Sequence, residues 1–238
     1  MVHSDIVTGL FVGRAERRWP GRPASAIGKR PVAADEAPLI LETEGFLLDE
    51  QADPRVHGGP DKAVHHYAAG HYAAWRAEFP RLAARLVPGG FGENLSTGAG
   101  GADGEPWDET SVCIGDVFEL GTALVQVTQG RQPCWKLNAH LGEPRMAARF
   151  QETGRTGWYH RVLRPGRVAI GDVMRLVERR HADWPLARLI AARFAPRLDP
   201  VEAAEAAALA VLAPGWRQAF ARKTDPDWQE DTTRRLQG

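Results

Sequence analysis

Hydrophobic and polar residues alternate along several short stretches of the chain, as is typical of β-strands. Residues 4–13 predict a first strand, and residues 39–41 predict a second one. Residues 123–128 also alternate, and Gly121-Thr122 before them predicts a hairpin turn. Many short strands joined by turn signals predict a mainly β fold of the α+β type, with a barrel-like domain and a few helices.

A seven-residue pattern, Ile-Gly-Asp-Val-x-x-Leu, occurs twice in the chain. The first copy spans residues 114–120 and the second spans residues 170–176. Each copy predicts the end of one strand, a Gly-Asp turn and the start of a new strand.

Helical spacing of apolar residues first occurs after Pro60. Val64, Tyr67, His71 and Trp75 recur at intervals of three and four residues, which predicts one helix that ends before Pro80. A second helix is predicted for residues 143–151.

After residue 183 the sequence changes from short predicted strands to predicted helices. Three short amphipathic helices are predicted for residues 184–194, 201–212 and 216–223. We therefore divide the chain into a β-barrel domain over residues 1–181, a three-helix unit over residues 182–223 and a disordered tail over residues 224–238.

Composition excludes several classes of protein. The chain has 238 residues with 30 basic and 30 acidic side chains, so no net electrostatic field favours binding to nucleic acid or to a membrane surface. No apolar run reaches the ~18 residues of a membrane span, and the N-terminus lacks the layout of a signal peptide. With only Cys113 and Cys134, a disulfide framework is excluded and a cytoplasmic location is expected.

Lysine is rare in this chain, in which arginine outnumbers it 26 to 4. Lys29, Lys62 and Lys136 lie in segments rich in glycine, proline or cysteine rather than on helix faces. A compact ammonium and a planar guanidinium are not interchangeable in a tight site. The placement favours a shared anion site, although codon bias alone also explains a low lysine count.

Cys134 follows an alternating run and a proline, between Arg131 and Lys136. A thiol is a nucleophile or metal ligand as the thiolate, and neighbouring cations favour that form. The chemistry of this segment therefore predicts a functional cysteine. The alternative is a small buried apolar residue, which is the role of most free cysteines.

Residues 57–62, with the sequence His-Gly-Gly-Pro-Asp-Lys, predict a loop that precedes a helix. Glycines allow a ligand to approach the backbone, and a helix N-terminus attracts anions. The loop lacks the spacing of a Walker motif, and an ordinary tight turn is the alternative. His65, His66 and His71 suggest a zinc hydrolase as a further hypothesis, but no pair has the i, i+4 spacing of a zinc helix.

Five motifs together resemble MOSC-domain proteins, the family related to the C-terminal domain of molybdenum cofactor sulfurases. They occupy residues 57–67, 91–95, 114–116, 131–136 and 154–159. The three helices after residue 183 resemble the C-terminal extension of the YiiM-type branch. Residues 98–104 are the one part that does not fit the family pattern.

The resemblance implies a mixed β-barrel that binds molybdenum cofactor, or molybdopterin, with Cys134 as the ligand of molybdenum. Cofactor-binding residues implied by the resemblance are Lys29, His57, Gly58, Gly59, Lys62, Asn94, Arg131, Lys136 and Thr156. It also implies reduction of small N-hydroxylated substrates, including hydroxylaminopurines, with electrons from a separate flavoprotein reductase. We do not expect the protein to bind pyridoxal phosphate, a membrane or nucleic acid directly. The oligomeric state stays open, and a homodimer is one of the alternatives.

Two questions stay open at this level. The first question is whether the chain is a reductase, or carries molybdenum cofactor or sulfur on Cys134 without catalysing reduction. The second question is whether the C-terminal helices bind the electron-donating partner or cap the barrel.

Overall fold

The computed structural model describes residues 4–53, 57–98 and 106–237. The strands are β1 (Ser4–Val12), β2 (Arg30–Pro31), β3 (Leu39–Glu42), β4 (Gly45–Phe46), β5 (Val64–Ala68), β6 (Leu95–Thr97), β7 (Val117–Leu120), β8 (Ala123–Gly130), β9 (Trp158–Arg164), β10 (Gly166–Val168) and β11 (Val173–Glu178). The helices are α1 (His71–Glu78), α2 (Trp135–Leu141), α3 (Met146–Thr153), α4 (Leu186–Phe194), α5 (Pro200–Ala208), α6 (Pro214–Lys223) and α7 (Thr233–Gln237). Short 3₁₀ turns cover Pro60–Lys62 and Pro80–Leu82.

Seven strands close into a mixed barrel in the order β11-β7-β8-β9-β5-β6-β1, and β1 pairs back to β11. Strand β1 closes the barrel because its two halves have different partners, with Ser4 opposite Arg175 and Leu10 opposite Leu95. Strands β5 and β6 are parallel, and the other neighbours in the barrel are antiparallel. Strands β10, β3 and β4 form a separate small sheet. The predicted mainly β, barrel-type fold is therefore confirmed.

The repeated Ile-Gly-Asp-Val pattern forms two equivalent turns. Gly115 and Gly171 have φ angles of +78° and +90°, in a region that favours glycine. The Asp116 carboxylate accepts a hydrogen bond from Cys113 N at 2.8 Å, and the Asp172 carboxylate accepts one from Ala169 N at 2.8 Å. Each aspartate thus fixes the turn that starts β7 or β11, and these two strands pair with each other.

The prediction of a single helix after Pro60 is wrong. Residues 64–68 form β5, and helix α1 starts only at His71. Consequently His65 and His66 lie on a strand and do not share a helix with His71. All five residues of β5 are buried, so both faces of this strand carry apolar or aromatic side chains and the period of two is lost.

The C-terminal helices α4, α5 and α6 pack against the barrel. Leu189 and Ile190 of α4 and Trp216 and Phe220 of α6 belong to the same buried cluster as Val127 of β8. Backbone bonds join the two parts as well, from Leu186 N to Val112 O at 2.8 Å and from Ala213 N to Thr128 O at 3.0 Å. The helices therefore complete the hydrophobic core of the barrel.

The segment after α6 differs from the predicted disordered tail. Residues 233–237 form α7, and Asn138 Nδ2 donates a hydrogen bond to Leu236 O at 2.8 Å. Arg193 of α4 forms an ion pair with Glu230. These contacts hold the segment against α2 and α4, beside the loop that carries Cys134.

None of the helices in the described part of the chain is both long and apolar enough to cross a membrane.

Candidate functional site

Cys134 stands at the point where strand β8 ends and helix α2 begins. Strand β8 ends at Gly130, and after Pro133 the residue Cys134 takes an extended backbone conformation as the N-cap of α2. Its side chain is only half-buried, whereas Cys113 is buried. The nearest polar side-chain contact of Cys134 is His57, whose Nε2 lies 3.7 Å from Cys134 Sγ.

A cleft opens beside this thiol and has two parts. The outer part is a cavity of about 790 Å³, and the inner part is a pocket of about 90 Å³. His57, Lys62, Cys134 and Tyr159 line both parts, so the thiol lies where they meet.

The three lysines singled out from the sequence all line the inner pocket, together with Arg131. Lys136 is buried, and its Nζ donates to Ala24 O at 3.3 Å. Arg131 is also buried and donates from Nη1 to Phe91 O at 2.7 Å. A phosphate or another anion in this pocket would meet several positive charges at once.

A buried carboxylate neutralises Lys29. Its Nζ contacts Oδ2 of Asp49 at 2.6 Å, and both side chains are buried. Asp49 also accepts hydrogen bonds from Gly13 N at 2.7 Å and from Asn94 Nδ2 at 2.8 Å. Lys29 and Asn94 therefore form part of the wall of the inner pocket, and their polar groups already have protein partners.

Burial and mutual repulsion lower the basicity of the groups around the thiol. Although His57 lines the cavity, desolvation by the surrounding protein and, to a smaller extent, the positive charges of Lys136 and Lys62 lower its pKa to about 4. Desolvation also lowers the pKa of Lys62, against the opposing effect of Asp61. At neutral pH the His57 ring is consequently uncharged and can both donate and accept a hydrogen bond.

The loop of Gly58 and Gly59 is shaped by Gln51. A Cβ on Gly58 would lie 2.0 Å from Gln51 Oε1, so this position has no room for a larger residue. Gly59 has a φ angle of +85°, and its N–H donates to Gln51 Oε1 at 2.8 Å. The glycines bring the backbone to the cavity lining, but the amide of Gly59 is bonded within the protein.

Thr156 is the one predicted site residue that lines neither part of the cleft. It is fully buried, and its hydroxyl donates to Gly157 O at 2.9 Å. Gly157 O in turn accepts from Arg131 N at 2.9 Å, so Thr156 supports the loop from behind.

Several lining residues were not found from the sequence. They are Gln51, Trp135, Tyr159, Trp216, Arg234 and Arg235. Trp135 and Tyr159 lie inside or next to the motifs, which could have indicated them. Arg234 and Arg235 come from the segment that was predicted to be disordered, and nothing local in the sequence connects it to Cys134.

The zinc hypothesis has no support in the geometry. Within residues 4–53, 57–98 and 106–237, no group of three or more His, Cys, Asp or Glu side chains could hold a metal ion. His66 and His160 instead contact each other inside the barrel, with 3.2 Å between Nδ1 of His66 and Nε2 of His160.

The family model described as MOSC domain matches residues 53–175, which include His57, Lys62, Cys134 and Tyr159 of the cleft. The chain belongs to the MOSC domain family. A second model, described as YiiM-like, 3-alpha helix domain, matches residues 184–223. The family match supports a molybdenum-cofactor-related domain.

Relatives of this MOSC protein resemble it over different lengths. Protein YiiM of Escherichia coli is 37% identical over 96% of the chain and 97% of its own length. A protein named Reductase from Gibberella moniliformis is 39% identical over 69% of the chain and 28% of its own length. The crystal structure of YiiM from Escherichia coli superposes with a TM-score of 0.78 at 31% identity, and the match covers 100% of both chains.

Proposed function

We propose that this MOSC protein is a molybdenum-cofactor-dependent reductase of N-hydroxylated compounds, such as hydroxylaminopurine-type bases and hydroxylamines. The observation that carries the proposal is the Cys134 thiol, which opens on a cleft whose inner pocket is lined by three lysines and an arginine. The fungal relative named Reductase supports the reaction class.

The residues present fit the cofactor. A soft thiolate is a suitable ligand for a soft metal centre, and Cys134 is the one cysteine of the chain that lines the cleft. The phosphate of a pterin cofactor suits the ammonium groups of Lys62 and Lys136, which lie around the inner pocket. A cavity of about 790 Å³ lies within the usual range for cofactor-sized ligands.

The reaction itself requires two electrons and two protons, and it converts an N–OH group into N–H and water. When bound, the cofactor supplies the two-electron chemistry that cleavage of the N–O bond needs. His57 is placed to hydrogen-bond the N–OH group beside the thiol, because its ring is neutral and lies 3.7 Å from Cys134 Sγ. Trp135 and Tyr159 give the cavity flat apolar surfaces suited to a purine ring.

The electrons come from a separate flavoprotein reductase in this proposal, and the reaction takes place in the cytoplasm. Both cysteines are free thiols in the structure, which suits a reducing compartment.

The decisive experiment is to purify the protein from a host that makes molybdenum cofactor. Bound molybdenum and pterin are measured first, and reduction of 6-hydroxylaminopurine with a chemical electron donor is measured second. We expect stoichiometric molybdenum and turnover. Bound cofactor without turnover would instead support a cofactor carrier, and absence of both would contradict the proposal.

A further inference from the structure

The segment after α6 forms one side of the outer cavity. Asp231, Arg234 and Arg235 of this segment line the cavity, as does Cys134. The segment follows residue 223, where the match to the YiiM-like helix model ends, so the family assignment does not account for its place beside the thiol. It reaches the loop of the thiol through the contacts of Arg235.

One guanidinium joins this segment to the loop of Cys134. Arg235 Nη1 donates a hydrogen bond to Pro133 O at 2.7 Å, and its Nη2 donates one to Gln151 Oε1 of α3 at 2.7 Å. The same guanidinium lies 5.6 Å from the centre of the Phe194 ring at the end of α4. A planar guanidinium reaches two acceptors in fixed directions, and hydrogen bonds from a charged donor are stronger than neutral ones. Arg235 therefore ties the carbonyl directly before the thiol to α3 and to the end of α4.

The loop between β8 and α2 is held by backbone bonds on either side of the thiol. Arg131 N donates to Gly157 O at 2.9 Å on one side, and Leu137 N donates to Cys134 O at 3.0 Å on the other. Pro133 lies between them and has no N–H to donate. Its carbonyl is thus the group through which the loop can be held immediately before the thiol, and the guanidinium bonds to it.

Arg235 is itself fixed by contacts of residues on both sides of it in the chain. Asn138 Nδ2 of α2 donates to Leu236 O at 2.8 Å. Five residues before Arg235, Glu230 forms an ion pair with Arg193 of α4, whose side chain is only 5% exposed. The segment is therefore attached to α2, which follows the thiol, and to α4. These contacts hold the guanidinium at the loop.

We propose that Arg235 is a positioning residue of the site and that it fixes the thiol of Cys134 where the two parts of the cleft meet. It acts through the Pro133 carbonyl and does not have to touch substrate or cofactor. Removal of a group that holds a metal ligand in place commonly lowers metal affinity about ten- to a hundredfold. The inference rests on the proposed function only for its effect on molybdenum, because the fixation of the loop can be measured without cofactor.

The first measurement is amide hydrogen exchange of the full-length protein without cofactor, purified from a host that does not make it. Arg235→Ala should speed exchange of the Leu137 amide, which is bonded inside the loop of the thiol, about tenfold. The amide of Val127, which is bonded within the barrel, is the internal reference and should exchange at an unchanged rate. Arg234→Ala is the matched control, because Arg234 is exposed on the same helix, and it should leave the Leu137 amide as it is in the unaltered protein.

The second measurement is the rate at which the holoprotein loses molybdenum during dialysis. We expect Arg235→Ala to lose molybdenum about tenfold faster than the unaltered protein, because its thiol ligand is no longer held in place.

Three results would overturn the role of Arg235. One is an unchanged exchange rate of the Leu137 amide in Arg235→Ala. Another is equal acceleration at Leu137 and Val127, because it would indicate a general loss of stability. The third is faster exchange at Leu137 with an unchanged loss of molybdenum, since the thiol would then keep its position without Arg235. If the unaltered protein holds no molybdenum, the proposed reductase is contradicted, and the exchange measurement still decides whether Arg235 fixes the loop.

Discussion

The two cysteines of the chain differ in what surrounds each thiol. Cys134 lines the cleft beside His57, whereas Cys113 is 3% exposed and its Sγ lies 3.8 Å from Ala182 O. Desolvation and the carboxylate of Asp116 raise the pKa of Cys113, so it persists as a neutral thiol. The first residue is accessible to a ligand, and the second is part of the packing.

We expect Cys134→Ser to lose bound molybdenum and turnover while the melting temperature of the protein changes little. A hydroxyl is a far poorer ligand for a soft metal than a thiolate, but its volume is similar. Metal analysis and thermal unfolding of the purified variant test both parts. Cys113→Ala is the matched control and should lose stability only, by about 1–2 kcal/mol. Full turnover in Cys134→Ser would remove Cys134 from the proposed mechanism.

Lys29 and Lys62 are both among the rare lysines of the chain, and we expect the loss of each to be seen in a different measurement. Lys29→Ala leaves the carboxylate of Asp49 buried without its cation, and loss of one partner from a buried pair costs about 3–5 kcal/mol. We therefore expect a lower free energy of unfolding in the cofactor-free protein. Lys62→Ala should weaken cofactor retention about tenfold, because a charge-assisted contact with the anion is lost.

Chemical denaturation of the cofactor-free protein tests the Lys29→Ala outcome, and the cofactor content of the purified Lys62→Ala protein tests the other. The double variant with Lys29→Ala and Asp49→Asn should recover most of the lost stability, because a neutral amide replaces the isolated carboxylate. Equal stability of Lys29→Ala and the unaltered protein would contradict the structural role of the Lys29–Asp49 pair.

Residue types indicated the chemistry of the site better than the role of each residue. The scarcity of lysine drew attention to three side chains that line one pocket in the structure. It could not indicate that Lys29 is neutralised, because Asp49 is 20 residues away and the contact depends on the tertiary fold. Thr156 was placed among the binding residues by its motif, yet its hydroxyl bonds to the backbone.

At the level of elements, the contact between β8 and the C-terminal helices requires a glycine. A Cβ on Gly130 would lie 2.5 Å from Cγ1 of Ile190 in α4 and 3.0 Å from Cη2 of Trp216 in α6. The distance to Ile190 is too short for a real side chain, and the distance to Trp216 is at the limit of real contacts. Gly130 therefore sets how closely the helices approach the strand that leads to Cys134.

Gly130→Ala should destabilise the protein by about 1–3 kcal/mol, because it overpacks a closed interface. Ile190→Ala removes the clashing atoms, so the double variant should be more stable than the sum of the two single effects predicts. Gly70→Ala is the matched control, since a Cβ there meets nothing within 4 Å. Additive effects of Gly130→Ala and Ile190→Ala in urea denaturation would contradict the close approach of β8 and α4.

Periodicity predicted the elements well where one face is buried and poorly where both are. The hairpin of β7 and β8 is confirmed, and so are the three short helices after residue 183. Strand β5 was taken for the start of a helix because Val64 and Tyr67 are followed by His71 and Trp75 at helical spacing. A fully buried strand has no polar face, so its sequence lacks the signal that distinguishes it from a buried helix.

On the scale of the whole molecule, the site is assembled from distant parts of the chain. Residues 57–62, the loop of Cys134 and the last described helix meet at one cleft only because the barrel closes and the helices cover one side. The order of strands in a closed barrel is not encoded in any local pattern. The fold family was nevertheless predictable from motifs, because the motifs mark the loops that converge there.

The barrel interior also contains a histidine pair that ties stability to pH. His160 is fully buried, and its Nε2 accepts a hydrogen bond from Trp158 Nε1 at 3.0 Å. Burial lowers the pKa of His160 to about 3, and burial together with His160 lowers the pKa of His66 well below its usual range. Both rings are therefore neutral in the folded protein at pH 7.

The free energy of unfolding should fall as the pH drops from about 6.5 towards 3. In this window the unfolded chain binds a proton at each ring that the folded chain does not bind, so acid favours unfolding. Each group contributes a slope of up to about 1.4 kcal/mol per pH unit. His160→Gln keeps an acceptor for Trp158 but removes one titrating group, so its unfolding free energy should depend less steeply on pH. Urea denaturation at pH 7, 6 and 5 measures both slopes, and equal slopes for the variant and the unaltered protein would show that His160 titrates alike in the folded and unfolded states.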